Sequence, residues 1–195
     1  MATQEERRER TRSGLLEAAA QRFGVQGFAE TTIDQIAEDA GTAKGALYHY
    51  FPTKTALFEA VLNGVSADVA EQTQKAITGG DLLEAMMTAV RAFFAACAEP
   101  KTSQILLRDG PSVLGWDRWR EIDSAHFGGA VTSVLSLAME SGALRDQPVE
   151  PLARLLLGAI SEAVIDCAGQ PHFEEHAEAY ISGIEALLNG LRPTP

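Results

Sequence analysis

Long apolar runs are missing from this chain of 195 residues, and with them any stretch of about 18 residues that could cross a membrane. Cysteine is nearly absent too. Cys97 and Cys167 lie far apart among Ala and aliphatic residues, without metal-ligand spacing, and read as small core hydrophobes rather than a disulfide. The start, Met1 to Arg12, is charged and has no apolar core, so it is not expected to be a secretory leader. These absences point to a cytoplasmic protein with no membrane partner. No Walker loop, G-x-S-x-G elbow or Rossmann glycine pattern occurs, and no alternating strand pattern stands out. Positive charge is in deficit: 16 Lys and Arg face 27 Asp and Glu, a net charge of −11. Non-specific affinity for nucleic acid should therefore be weak, and any DNA binding should depend on a few good contacts. Yet the deficit is uneven, because only −2 of it falls in residues 1–60 and Arg7, Arg8, Arg10 and Arg12 cluster near the start. Those arginines have two readings. They form a flexible arm that reaches the DNA backbone or minor groove, or they pair with Glu5, Glu6 and Glu9 in a helical start.

What the sequence does contain is a dense set of helix signals between Thr31 and Lys54. Thr32 and Gln35 have the spacing of a capping box, and Ile33, Ile36, Ala37 and Ala40 follow on one helical face. Gly41 is suited to the positive φ of a helix C-terminus. Thr42 is then a candidate cap for a second short helix, Ala43 to Tyr50, anchored by Leu47. Phe51-Pro52 ends it, and Thr53 caps the next helix. Two short helices crossing closely at a tight turn make a helix-turn-helix, whose second helix lies in the DNA major groove. On that helix Thr42, Ala43, Lys44, Gly45, Tyr48, His49 and Tyr50 are the candidate DNA-facing residues, with Gly45 permitting close backbone approach. Thr32, Thr53 and Lys54 are candidates for phosphates. Lys54 sits at the positive end of a helix dipole, where a phosphate would be welcome.

The segment TTIDQIAEDAGTAKGALYHYFPTKTALFEAVL resembles the N-terminal domain of the TetR family of transcriptional regulators. The resemblance rests on Thr-Thr-Ile before the second helix, Ile-Ala-x-x-Ala-Gly into the turn, Lys-Gly-x-Leu-Tyr-x-x-Phe on the recognition helix and Lys-x-x-Leu opening the fourth. It covers roughly residues 10–65. One departure is local: Tyr48-His49-Tyr50-Phe51 exchanges the family's usual aromatic and His, which leaves open whether His49 or Tyr50 touches DNA. The resemblance implies an all-α protein of about nine helices: a three-helix helix-turn-helix domain over residues 1–52 and a ligand-binding and dimerisation bundle over 53–195. It further implies a homodimer, a palindromic double-stranded operator and a small-molecule effector; no catalytic residue, metal or cofactor is expected from the motifs.

Along the rest of the chain, the first helix is expected from Glu5 to Phe23, burying Leu15, Leu16, Ala19 and Phe23 and stopped by Gly24, with Phe28 as a plug. A linking helix follows from about 53 to 76, before a break at Gly79-Gly80. Further helices are expected near 81–97, 102–109, 116–141, 149–168 and 173–190, with breaks at Gly110-Pro111 among others and either a kink or a close contact at Gly128-Gly129. The tail from Arg192 to Pro195 is expected to be disordered. The last two helices are apolar over a wide arc and need partners on two sides. Candidate dimer residues are Leu152, Leu155, Leu156, Ala159 and Ala163 on the first, and Tyr180, Ile184, Leu187 and Leu188 on the second. A pocket for an apolar or amphipathic effector is expected between the bundle helices. Its candidate lining is Met86, Met87, Val90, Phe93, Phe94 and Cys97, then Leu106, Trp116, Trp119, Ile122, Phe127 and Ile160. His172-Phe173-Glu174-Glu175-His176 matches the H-x-x-E-H zinc pattern literally, but in a polar first turn without a third ligand marked out. The reading is a ligand-responsive DNA-binding regulator, most simply a repressor. The alternative is an all-α dimeric small-molecule-binding protein without DNA regulation.

Overall fold

The computed structural model describes residues 3–78 and 80–193, so Gly79 of the expected Gly79-Gly80 break and the last two residues of the tail lie outside the described residues. The protein is all-α, with nine helical stretches and no strand among the described residues. These are α1 (Gln4–Glu30), α2 (Ile33–Asp39), α3 (Lys44–Tyr50), α4 (Lys54–Ala76), α5 (Leu82–Ala98), α6 (residues 100–114), α7 (residues 116–140), α8 (Val149–Gly169) and α9 (Phe173–Gly190). No helix among the described residues is long and apolar enough to cross a membrane.

The chain forms two compact units. The first comprises the chain up to Val65 together with Pro100–Trp119; the second comprises Ser66–Glu99 and the chain from Arg120 onward. This division differs from a boundary near residue 52. The first part of α4 packs with α1 through Phe58, whose ring meets Phe23 and Phe28 edge to face, and Leu57 and Leu62 beside it are buried. Phe23, Phe28 and Phe58 form a three-ring cluster with centroids 5.3–5.7 Å apart, so Phe28 is the plug that its position suggests. Leu16 is only half-buried.

The segment 100–119 completes this unit. Gly24 does not stop α1; it lies inside the helix where Lys101 crosses, and a Cβ there would come within 2.8 Å of Lys101 Cβ. The helical path is left at Gly27 instead, with φ 81° and ψ 168°, a conformation only glycine adopts without strain. The side chain of Asp109 then accepts the Phe28 N–H at 2.7 Å, and Trp119 Nε1 donates to the Leu106 carbonyl at 2.8 Å. Gly110-Pro111 does not break α6, contrary to expectation. The segment Ser103–Asp109 is π-helical, so the hydrogen-bond register has changed before Pro111 removes a donor. The helix ends at Gly115, φ 79°.

In the second unit, Asp81 caps α5 by accepting from Leu83 and Glu84, each at 2.9 Å. Its core gathers Leu83, Val90 and Phe94 of α5, Ala153, Ile160 and Val164 of α8, and Ala177, Ile181 and Ile184 of α9. Cys97 and Cys167 are free and buried, and burial pushes both thiols above the usual range. Gly128 and Gly129 both keep helical backbone angles; the irregularity of α7 is a π-helical turn over Ser124–Gly128.

Candidate nucleic-acid interface

The Thr32 hydroxyl accepts from the Gln35 N–H at 3.3 Å while Gln35 Oε1 accepts from the Thr32 N–H at 2.8 Å, which fixes where α2 starts. Its end is equally determined. With Gly41 at φ 61°, the Gly41 N–H reaches the Glu38 carbonyl at 3.0 Å and the Thr42 N–H reaches the Ala37 carbonyl at 2.9 Å. This is a Schellman closure, and it uses two of the orphan carbonyls of α2. Thr42 therefore closes α2 rather than capping α3. Ala43 is the extended residue before α3, which begins at Lys44 without a side-chain cap. Leu47 is fully buried, as its anchoring role requires. Thr53 caps α4 through the Ala56 N–H at 3.0 Å. Arg22 grips Asp39 with two guanidinium hydrogen bonds, holding α1 to α2 and keeping the Asp39 carboxyl below its usual pKa.

On α3, Lys44, Tyr48 and His49 are exposed, Tyr50 is half-buried, and a Cβ at Gly45 would meet nothing within 4 Å. Ala43 is exposed and Thr42 half-buried. The Lys44 ammonium lies 2.9 Å from Asp34, and that hydrogen bond raises its pKa. Lys54 turns back into its own unit, with its ammonium 4.2 Å from the centroid of the Phe28 ring and its pKa lowered by partial burial. Thr32 and Thr53 are exposed with their oxygens already engaged as caps.

The basic start of the chain is helical. Thr3 and Glu6 form a reciprocal cap, with 2.7 Å from the Thr3 N–H to Glu6, so Arg7, Arg8, Arg10 and Arg12 ride on α1 rather than on an arm. Arg8 lies 6.0 Å from the Tyr50 ring centroid and Arg12 lies 5.7 Å from that of Phe51. That stacking brings two guanidinium groups to the end of α3, a feature missed in the sequence although Tyr50-Phe51 and arginines one turn apart were its visible signals.

A cavity of about 140 Å³ opens in the second unit. Met86, Val90, Phe93, Phe127 and Ile160 line it as expected, together with Thr73, Ile77 and Leu156. Phe94, Cys97 and Ile122 are buried elsewhere in that unit, and Met87 is half-buried outside the lining. Leu106, Trp116 and Trp119 belong to the first unit, where Trp116 stacks on Trp119 at 5.1 Å. One turn before Phe127, Asp123 accepts a hydrogen bond from Ser161 at 3.1 Å, and burial pushes its carboxyl up to about 6.

Of the apolar candidates on α8 and α9, Leu155, Ala159, Tyr180 and Leu187 are exposed, Leu155 at 72% and Leu187 at 64%. Leu152 is half-buried, whereas Leu156, Ala163, Ile184 and Leu188 are buried in the chain's own second unit. His172 is the left-handed residue before α9, φ 65°, and His176 Nδ1 sits 3.2 Å from the His172 carbonyl. Among the described residues no group of three or more His, Cys, Asp or Glu is placed to hold a metal ion.

Residues 15–61 match the domain family described as bacterial regulatory proteins, tetR family, and residues 83–191 match the tetracyclin repressor-like C-terminal domain. The HTH-type transcriptional repressor KstR2 of Rhodococcus jostii is 33% identical over 81 residues, 40% of this chain and 40% of that protein. The chain thus matches well under two thirds of the length of that curated relative. A TetR-family transcriptional regulator of known structure from Pectobacterium atrosepticum is 29% identical, with a TM-score of 0.86 over 100% of both chains. The structure of RolR in complex with its ligand resorcinol, 18% identical, shares the fold with a TM-score of 0.76 over 98% of each chain.

Proposed function

Because the chain belongs to the TetR family of bacterial regulatory proteins, we propose that it is a homodimeric, cytoplasmic, sequence-specific DNA-binding regulator that releases its operator when a small molecule binds. The observation that carries this reading is α3. It is fixed from below by Leu47, by the closure at Gly41 and by the cap at Thr53, and it presents Lys44, Tyr48 and His49 to solvent. Such a short helix can enter the major groove with its side chains aimed at base edges. Arg8 and Arg12 stand at its C-terminal end, where phosphates of the groove wall would pass. Lys44 would exchange Asp34 for DNA. Tyr50, stacked under Arg8, is better placed to support than to read, which favours His49 as the groove contact.

Leu155, Ala159, Tyr180 and Leu187 are the part of the α8–α9 surface left for a second copy. A two-fold dimer reads a palindrome, with half-sites about 34–36 Å apart or a near multiple. No catalytic role is assigned. The test is selection of bound duplexes from a random pool at near-physiological salt. An enriched palindrome is the expected result; a folded dimer that enriches no sequence would overturn the reading.

A further inference from the structure

We propose that Asp34 is a specificity-determining residue of the candidate DNA interface: its carboxylate keeps the Lys44 ammonium from the phosphates of arbitrary duplexes and yields it to a guanine edge in the operator. This rests on the DNA-binding reading above and names a residue outside α3 that sets how sharply operator is told from other DNA. Lys44 is the single Lys or Arg of α3, and it stands at the first position of that helix. The N-terminal residues of a recognition helix are the ones that meet base edges, and a Lys there suits the O6 and N7 acceptors of guanine. This one full positive charge is already engaged: the Asp34 carboxylate, on the first turn of α2, accepts from its Nζ at 2.9 Å. Tyr48 follows four residues after Lys44 on the same helical face, and both are exposed, so Asp34 reaches the face that would meet DNA.

Other acids of this unit hold the fold together: Asp39 is gripped by Arg22, and Asp109 accepts the Phe28 N–H. The Asp34–Lys44 pair does so only weakly, because its side chains are 69% and 51% exposed and such pairs add little stability. Its effect on a polyanion is larger, and it differs between two kinds of duplex. At an arbitrary sequence, Lys44 leaving Asp34 trades one anionic oxygen for another and leaves a carboxylate facing phosphates. It therefore stays, and the neutral pair displaces no counterion from the DNA. At a guanine, two acceptors on one base edge replace the carboxylate, and only a weak exposed pair is given up. Asp34 thus removes one phosphate contact from non-operator binding and costs the operator complex less.

The experiment uses the full-length protein, the palindrome enriched by the duplex selection and a scrambled duplex of equal length and composition. Both affinities are measured across a salt series around physiological strength. Asp34→Asn keeps the shape and removes the charge. It should tighten the scrambled duplex about fivefold and steepen its logarithmic salt slope by about 0.9, one more phosphate neutralised, while tightening the operator by about twofold at most. Asp34→Glu, which keeps the charge, should restore the wild-type slope. Lys44→Ala should relax the requirement for one guanine in each half-site. In that background Asp34→Asn should no longer steepen the scrambled-duplex slope, whereas simple loss of a surface charge would steepen it in either background. With the variants folded by circular dichroism, equal tightening of both duplexes, an unchanged slope, or the same change without Lys44 would overturn the proposal. So would a selection with Asp34→Asn that exchanges one base of the palindrome for another, since Asp34 would then be reading a base itself. If the wild-type protein enriches no duplex, the regulator and this role fall together. An enriched palindrome whose advantage over the scrambled duplex is undiminished in Asp34→Asn removes this role alone.

Discussion

The two units differ in how completely their buried polar groups are matched. In the first, polar groups at the helix ends and crossings are matched: Thr32 with Gln35, Thr53 with Ala56, Thr31 with the Gly27 carbonyl, Asp109 with Phe28, Arg22 with Asp39 and Trp119 with Leu106. In the second, Asp81 caps α5 in the same way, but among the described residues the buried Thr73 hydroxyl has no partner, and burial pushes the Asp123 carboxyl up to about 6 although Ser161 donates to it. A fully matched network holds one geometry, which suits a surface that must present side chains in fixed register. Unmatched groups keep free energy in reserve for whatever satisfies them, which suits a place that must respond.

That contrast can be broken most forcefully at Leu47. Leu47→Ala should cost about 2–5 kcal/mol, and hydrogen exchange should locate the loss in amides of the first unit. Equal loss in the second unit would mean the two are one cooperative body. Next come Lys44→Ala and Tyr48→Ala, each expected to weaken operator binding by about 1–3 kcal/mol with dimerisation unchanged in sedimentation. Unchanged affinity in both would remove α3 from the interface. Asp123→Asn should be smaller and pH-dependent. The folded carboxyl, held near 6 against an ordinary 3.8, binds its proton more tightly than in the unfolded chain, so its favourable contribution is full below about 3.8 and is lost as pH rises through 6. The amide, which needs no proton, should therefore stabilise at pH 7 by about 1–2 kcal/mol, partial exposure screening the rest. Denaturant titrations at pH 7 and pH 4 should show that gain in the first and none in the second. Smallest is Thr73→Val in the ligand-free protein, where removing an unpaired hydroxyl should stabilise by up to about 1 kcal/mol. A loss of that size would show that Thr73 is already satisfied.

Local signals carried the reading furthest. Thr32 to Gln35, Gly41, Leu47 and Thr53 each act within a few residues, and the all-α class and the position of α3 follow from them. Signals that depend on a distant partner could not be read. Gly24 looks like a stop and is a crossing point, because Lys101 lies 77 positions away in sequence. Gly110-Pro111 looks like a break, but a π-helical segment before it shifts the hydrogen-bond register. Trp116 and Trp119 looked like pocket walls, since aromatic content alone does not say which unit claims a helix; Trp119 is claimed by the Leu106 carbonyl. Thr73 drew no notice at all. Flanked by Glu71, Gln72 and Gln74 it reads as solvent-facing, and only the packing of α4 turns it inward.

The role of Asp109 reaches beyond stability, to the order of events during synthesis. All of the helix-turn-helix lies before Val65, yet the Phe28 N–H donates to a carboxylate 81 positions later. A nascent chain that has emerged as far as Val65 holds α1 to α3 without Lys101, Asp109 or Leu106. Synthesis of the intervening residues, at about 5–20 per second, is slow compared with the formation of a helix. The unit that would read DNA therefore reaches its final form only after Trp119 has left the ribosome, and until then the nascent protein has no finished surface with which to meet a duplex.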